Sequence, residues 1–148
     1  MTFQEKRTLV TLASSVIIPT LYFSYLFHMH QEGSIDLTNN LRTWGIAILI
    51  LIPIQIGITI LNHIIFYIIN RIVTGTMESY DTDERDKRIE LIATRNSYIG
   101  FMVGYVLAMA SLVLGAPNYV MFIVLISSGM FSSVINGLTE LYFYRRGF

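Results

Sequence analysis

"TWGIAILILIPIQIGITILNHIIFYIIN", residues 43–70, contains no Asp, Glu, Lys or Arg. A helix needs about 20 apolar residues to cross a hydrocarbon core, and lipid offers the backbone no water to bond. The stretch therefore predicts a transmembrane helix. Residues 8–28, 97–115 and 118–142 read the same way. The expected fold is all-α: a polytopic membrane protein with four transmembrane helices in an antiparallel bundle, forming one domain over residues 1–148.

Composition agrees with that class. Hydrophobic residues make up 53% of the chain and charged residues 14%, against about 25% charged in an ordinary soluble domain. Mean hydropathy is +0.57. Ten basic and ten acidic residues cancel, and no direct nucleic-acid binding is expected. Cysteine is absent, which excludes disulfides, thiolate metal sites and the paired-thiol chemistry of four-helix membrane oxidoreductases. Lys6 and Arg7 ahead of the first apolar run also suit a signal peptide. That run is too long for a signal core and no small-x-small site follows it, so it is expected to be retained as a helix.

The placement of charge predicts orientation. Lys6, Arg7, Arg71, Arg85, Lys87, Arg88, Arg95, Arg145 and Arg146 fall on one side of the spans, and only Arg42 falls on the other. The positive-inside rule then puts both termini and the 71–96 segment in the cytoplasm. Trp44, Tyr67, Tyr119, Tyr142 and Tyr144 are placed as interfacial anchors.

Residues 81–96, "DTDERDKRIELIATRN", hold nine of the charges. Asp81 and Arg85, Asp83 and Lys87, and Glu84 and Arg88 are acid-before-base pairs at the spacing that favours a helix. Thr82 or Asp83 suits its cap. Ile89, Ile92, Ala93, Asn96 and Gly100 share one face that continues into the third span. The third helix is thus expected to begin near Asp83 and to end near Leu114, ahead of Gly115 and Pro117. An EF-hand loop fails here, because a count from Asp81 puts Asp86 where glycine is required and Ile92 where an acid is required. A phosphate cradle fails as well, with only Gly75 nearby. The segment reads first as a solvated helix end. Its functional reading is a docking surface for a cytoplasmic protein, made by Asp83, Glu84, Arg85 and Asp86 with Lys87, Arg88, Glu90 and Arg95.

Polar groups inside the spans are costly, so each is a candidate site. Gln55, Thr59, Asn62, His63 and Asn70 lie within roughly 100° of one face of the second span. Gly129, Ser133, Asn136, Gly137 and Glu140 do the same on the fourth. Gly100, Gly104, Ala108, Ser111 and Gly115 give the third a small-residue series that admits a neighbouring backbone. Helix packing explains all three stripes. The sharper reading takes Gln55, Asn62, His63, Asn136 and Glu140 as an intramembrane polar site, with His63 and Glu140 at similar depth as a proton or cation pair. Against it, Glu140 has Arg145 and Arg146 within reach of a helical turn or two. Pro53 beside Gly57 marks a candidate hinge.

His28 and His30, with Glu32 and Asp36 behind them, are ligand types suited to copper or zinc, but two His one residue apart on a helix end do not converge. No metal or cofactor is expected. A bis-His haem between His28 and His63 would need partners on one membrane face, and these two belong to opposite faces.

With "EKR" at 5–7, "RTWGIAILILIPIQI" at 42–56, "TDERDKRIELIATR" at 82–95 and "LYFYRRGF" at 141–148, the chain resembles a family of small four-span bacterial inner-membrane proteins that share a domain of unknown function. Its most specific part is the loop formed by Asp83, Glu84, Arg85, Asp86, Lys87, Ile89, Glu90, Leu91, Ala93, Thr94 and Arg95, with Ile92 standing where the pattern has Lys. The resemblance implies a bacterial or archaeal inner-membrane location and no assigned reaction. Gene neighbourhoods beside small helix-turn-helix regulators, a family trait, add the expectation of a membrane partner or sensor.

Three functions compete. The first is a non-enzymatic membrane protein that meets a cytoplasmic partner through its charged helix. The second is a homo-oligomeric channel or transporter using the polar stripes, although positions 8–27 lack the buried carboxylate of small multidrug exporters. The third is a membrane enzyme like the trimeric glutathione-dependent transferases, which Arg88, Glu90, Arg95 and Asn96 match in type but not in spacing.

Overall fold

Asp83 starts the helix that carries the charged segment: its backbone is extended and its carboxylate accepts from the Glu84 amide at 2.7 Å, a local N-cap. The computed structural model describes residues 3–74 and 83–146. It has four helices, α1 (Phe3–Gln31), α2 (Leu41–Thr74), α3 (Glu84–Val113) and α4 (Asn118–Arg146), and no strand among the described residues. All four are long and apolar enough to cross a membrane. Asp81, Thr82 and Gly75 lie outside the described residues, so the pair that begins at Asp81 does too.

The expected ends of α3 hold. After Leu114, Gly115 turns at φ +77, and the Ala116 amide returns to the Ser111 carbonyl at 3.0 Å. The other helices outrun their apolar stretches, because each continues into polar residues that need no lipid. α2 passes unbroken through Pro53.

Packing centres on α4. Ile89, Ala93, Gly104 and Ala108 are the buried face of α3, and Ser128, Gly137 and Leu141 are buried on α4. A methyl group at Gly104 would overlap the Cβ of Ser128, and one at Gly100 would lie 2.5 Å from Ile135 Cδ1. At Gly137 the obstacle is Leu12 of α1, 2.8 Å away. Glycine is therefore what lets α3 and α1 close on α4. α2 packs on α1 and, more sparsely, on α4; the backbones of α2 and α3 stay farther apart than packed helices among the described residues.

The outward surfaces are those of a lipid-facing protein. Leu49, Ile72, Leu107, Phe131 and Leu138 are all exposed, and Tyr98, Met102, Val103 and Val106 form a shallow apolar patch on α3. An aqueous monomer rarely shows apolar area on this scale.

One expectation is overturned at the 32–40 loop. Trp44 is not an exposed anchor; it is 2% exposed. Its indole Nε1 donates to the Leu37 carbonyl at 2.7 Å, and the ring stacks on Phe122 with centroids 5.6 Å apart and on Phe23 at 6.5 Å. An indole that finds both an acceptor and flat partners inside the protein has no need of the interface. The loop that supplies Leu37 is itself pinned. The Asp36 carboxylate accepts from the Thr38 and Asn39 amides at 2.8 and 3.0 Å, and Asn40 caps α2 through the Arg42 amide. Those amides, Asn39 foremost and then Thr38, hold the Asp36 carboxyl below the usual carboxylate range.

Trp44 is the single tryptophan, so its fluorescence in lipid nanodiscs reports this cap directly. Emission is expected to be blue-shifted and resistant to aqueous iodide; strong quenching would return the ring to the interface. At the α3–α4 contact, Gly104→Val is expected to cost at least the 1–3 kcal/mol typical of overpacking, by roughly that range in detergent unfolding. Gly57→Ala, at a site where an added Cβ meets open space, serves as the tolerant control.

Candidate functional site

The polar residues of α4 meet those of α1 at the end of the molecule where the charged segment begins. Thr8, 6% exposed, donates from Oγ1 to Glu140 Oε2 at 2.9 Å. Between the helices lies an open cleft of ≈ 280 Å³. Arg7, Thr8, Thr11 and Ser15 line it from α1, His63 from α2 and Ser97 from α3. Ser132, Ser133, Asn136 and Glu140 form its α4 wall. The charge of Arg7 reaches both Glu140 and His63.

Of the five intramembrane candidates, His63, Asn136 and Glu140 come together in this cleft. The Glu140 carboxylate takes its bond from Thr8, while Arg146, one of the two arginines within its reach, sits over the Tyr142 ring and donates to its hydroxyl. Asn62 works as a tie, donating from Nδ2 to Ser14 Oγ at 2.6 Å and lining a small recess beside Arg7 and Phe66. Gln55 stands apart in a neighbouring cavity of ≈ 230 Å³ with Pro19, Leu51, Leu125 and Gly129. Thr59, expected on the same inward stripe, is exposed, and its hydroxyl donates to the Gln55 carbonyl of its own helix at 2.8 Å. A hydroxyl that can bond the preceding turn has no need of a partner helix. The Asn70 side chain lies outside the described residues.

Arg7 and Thr8 are the site residues that sequence reasoning missed. Arg7 had served only as a topology marker, and Thr8 as the first residue of an apolar stretch. The available signal was their position one helical turn inside the N-terminal helix, level with the end of α4.

The charged segment divides in two. Asp83, Glu84, Arg85, Lys87, Arg88, Glu90 and Arg95 are exposed. Asp86 is half-buried: Gln4 Nε2 donates to its Oδ2 at 3.3 Å, and the Tyr144 hydroxyl bonds the same carboxylate. The start of α3 is thereby fastened to the first turn of α1, with the Tyr144 hydroxyl at the last turn of α4 facing the same carboxylate.

The two outer histidines are separately engaged. His28 Nδ1 lies 3.4 Å from Glu32 Oε1, while His30 Nδ1 lies 3.0 Å from the Ile35 carbonyl oxygen. No group of three His, Asp or Glu able to hold a metal forms among the described residues.

No family model, curated protein or solved structure matches the chain.

The Thr8–Glu140 bond should be measurable. Thr8→Val is expected to destabilise the protein by about 1–3 kcal/mol in detergent unfolding, because a half-buried carboxyl loses its donor, and Thr8→Ser should restore most of it. Thr59→Val, which removes only a back-bond on an exposed face, should stay within about 0.5 kcal/mol of the parent. Equal effects at the two positions would contradict this assignment.

Proposed function

We propose that the chain is a multi-pass protein of a bacterial or archaeal inner membrane that senses a ligand in the polar cleft and signals through the charged start of α3 to a cytoplasmic protein. The family resemblance and the charge asymmetry support the location, with both termini and the 71–96 segment inside. The helix contacts support an antiparallel arrangement. Tyr22 bonds Ala47 while Ser14 meets Asn62, and Thr8 bonds Glu140 while Leu12 meets Gly137.

One observation carries the reading: the cleft and the charged segment share their fastenings. Gln4 bonds Asp86 and stands one turn before Thr8, and Tyr144, facing Asp86, stands one turn beyond Glu140. A ligand that displaces the Thr8–Glu140 bond acts on the two helix ends that position α3. The exposed ring of Glu84, Arg85, Lys87, Arg88, Glu90 and Arg95 is then the face that a partner reads. Nothing in this reading requires a reaction, a cofactor or a metal.

Transport is the second reading, favoured by the convergence of His63, Asn136 and Glu140 on one cleft. The two readings separate cleanly. Because cysteine is absent, a photocrosslinker attached to the purified Lys87→Cys chain is site-specific, and after reconstitution with cytoplasmic extract it is expected to trap one cytoplasmic protein that the same probe on Val113→Cys does not. Proteoliposomes of the parent protein are expected to stay tight to protons and monovalent cations. Flux that Glu140→Gln abolishes, with no product trapped at position 87, would put transport in place of sensing.

A further inference from the structure

The polar cleft does not end where its charges end. Ser15 and Ser133 line both it and the second cavity, so the two are one groove between α1, α2 and α4. Its first part, ≈ 280 Å³, is set with Arg7, His63, Asn136 and Glu140. Its second part, ≈ 230 Å³, is walled by Pro19, Ile48, Leu51, Leu125 and Ile126, with Gln55 the one amide. Beyond Ile126, one turn further along α4, Phe122 lies flat against the buried Trp44. The groove is therefore polar at its mouth and apolar beyond it. A hydrophilic solute moving along it would strand in the apolar part, whereas an amphiphile matches it from end to end.

The mouth also specifies the head of that amphiphile. Arg7 supplies a fixed positive charge suited to a phosphate. Opposite it stand the Glu140 carboxyl, the Asn136 amide and the serine and threonine hydroxyls, a set of acceptors for a group with N–H bonds to give. A quaternary ammonium has no such bonds and is held by the faces of Trp, Tyr or Phe; no Trp, Tyr or Phe side chain lines this cleft among the described residues.

We infer that the groove binds a phospholipid whose headgroup carries both a phosphate and a primary ammonium, with the phosphate toward Arg7, the ammonium toward Glu140 and Asn136, and one acyl chain in the apolar cavity between Pro19 and Leu125. This deepens the sensing reading and rests on the cleft being its ligand site.

The purified full chain in detergent, titrated with short-chain phosphatidylethanolamine, phosphatidylcholine and phosphatidylglycerol of one chain length, and with free phosphoethanolamine, tests it by thermal shift and native mass spectrometry. The ethanolamine lipid is expected to bind at least tenfold tighter than the other two. Glu140→Gln, which keeps an oxygen for Thr8, should weaken it about tenfold, the loss of one charge-assisted contact. Gly129→Leu fills the apolar part at a position where an added Cβ meets open space, so the variant should fold normally and lose the lipid adduct. Equal binding of all three lipids, or an undiminished adduct in Gly129→Leu, overturns the inference. Free phosphoethanolamine binding as tightly as the lipid also overturns it, in favour of a soluble zwitterion. Crosslinking from position 87 is scored separately: if it persists while lipid selectivity fails, only the lipid assignment falls, and if it fails as well the sensing reading falls with it.

Discussion

The close approach of α4 to its neighbours is the constraint on which the rest of the structure depends. Between helices in lipid there is little hydrophobic drive, because the surrounding acyl chains are as apolar as the side chains. Contact has to come from dispersion at short range and from a few hydrogen bonds. Gly104 against Ser128 and Gly137 against Leu12 allow it, since in each case a β-carbon would collide with the partner. α4 thereby packs against all three other helices, while the backbones of α2 and α3 stay apart among the described residues. The polar cleft lies beside that packing.

The two ends of the molecule are fastened by different chemistry. At the charged end the helices are joined by polar bonds: Thr8 to Glu140, Asn62 to Ser14, and Ser132 Oγ to the Ser97 carbonyl at 2.7 Å. At the other end the fastening is aromatic, with Trp44 between Phe23 and Phe122 and the Tyr22 hydroxyl donating to the Ala47 carbonyl. Elsewhere Thr20, Ser24 and Thr59 satisfy themselves on the preceding turn. No buried side-chain nitrogen or oxygen among the described residues lacks a partner. Partly exposed polar side chains gather in the cleft, Arg7, His63, Asn136 and Glu140 among them.

Much of the fold was legible because lipid makes it so. Apolar length marks a spanning helix without any tertiary knowledge, and α3 announced its early start through the cap at Asp83 and the apolar face of Ile89 and Ala93. The site was legible in halves. His63, Asn136 and Glu140 converge as their helical spacing suggests, but periodicity alone cannot say which polar residue will bond its own turn, and so Thr59 was misplaced. Gln55 shares the face of His63 yet sits two turns deeper, beside apolar walls. Trp44 was misread because position relative to a span suggests an anchor, while its burial depends on Phe122, nearly 80 residues away. Arg7 and Thr8 failed to stand out for the same reason: their importance comes from what α4 brings to them.

The segment richest in charge is thus not where the chemistry concentrates, yet the two are hard to separate mechanically. Asp86 is bonded by Gln4 and faced by Tyr144, and those residues stand one turn from Thr8 and Glu140. Farther along, α3 is buried at Ile89 and Ala93 and tied to α4 at Ser97, Gly100 and Gly104, so the part of α3 left to respond is its first turn after the Asp83 cap. A ligand shifts such an arrangement only by binding one position of the helix ends better than another. On the sensing reading proposed above, Glu140 would meet that condition, because its bond to Thr8 and a bond to a cationic headgroup would draw on the same carboxylate. The Gln4–Asp86 link would then carry that choice to the start of α3.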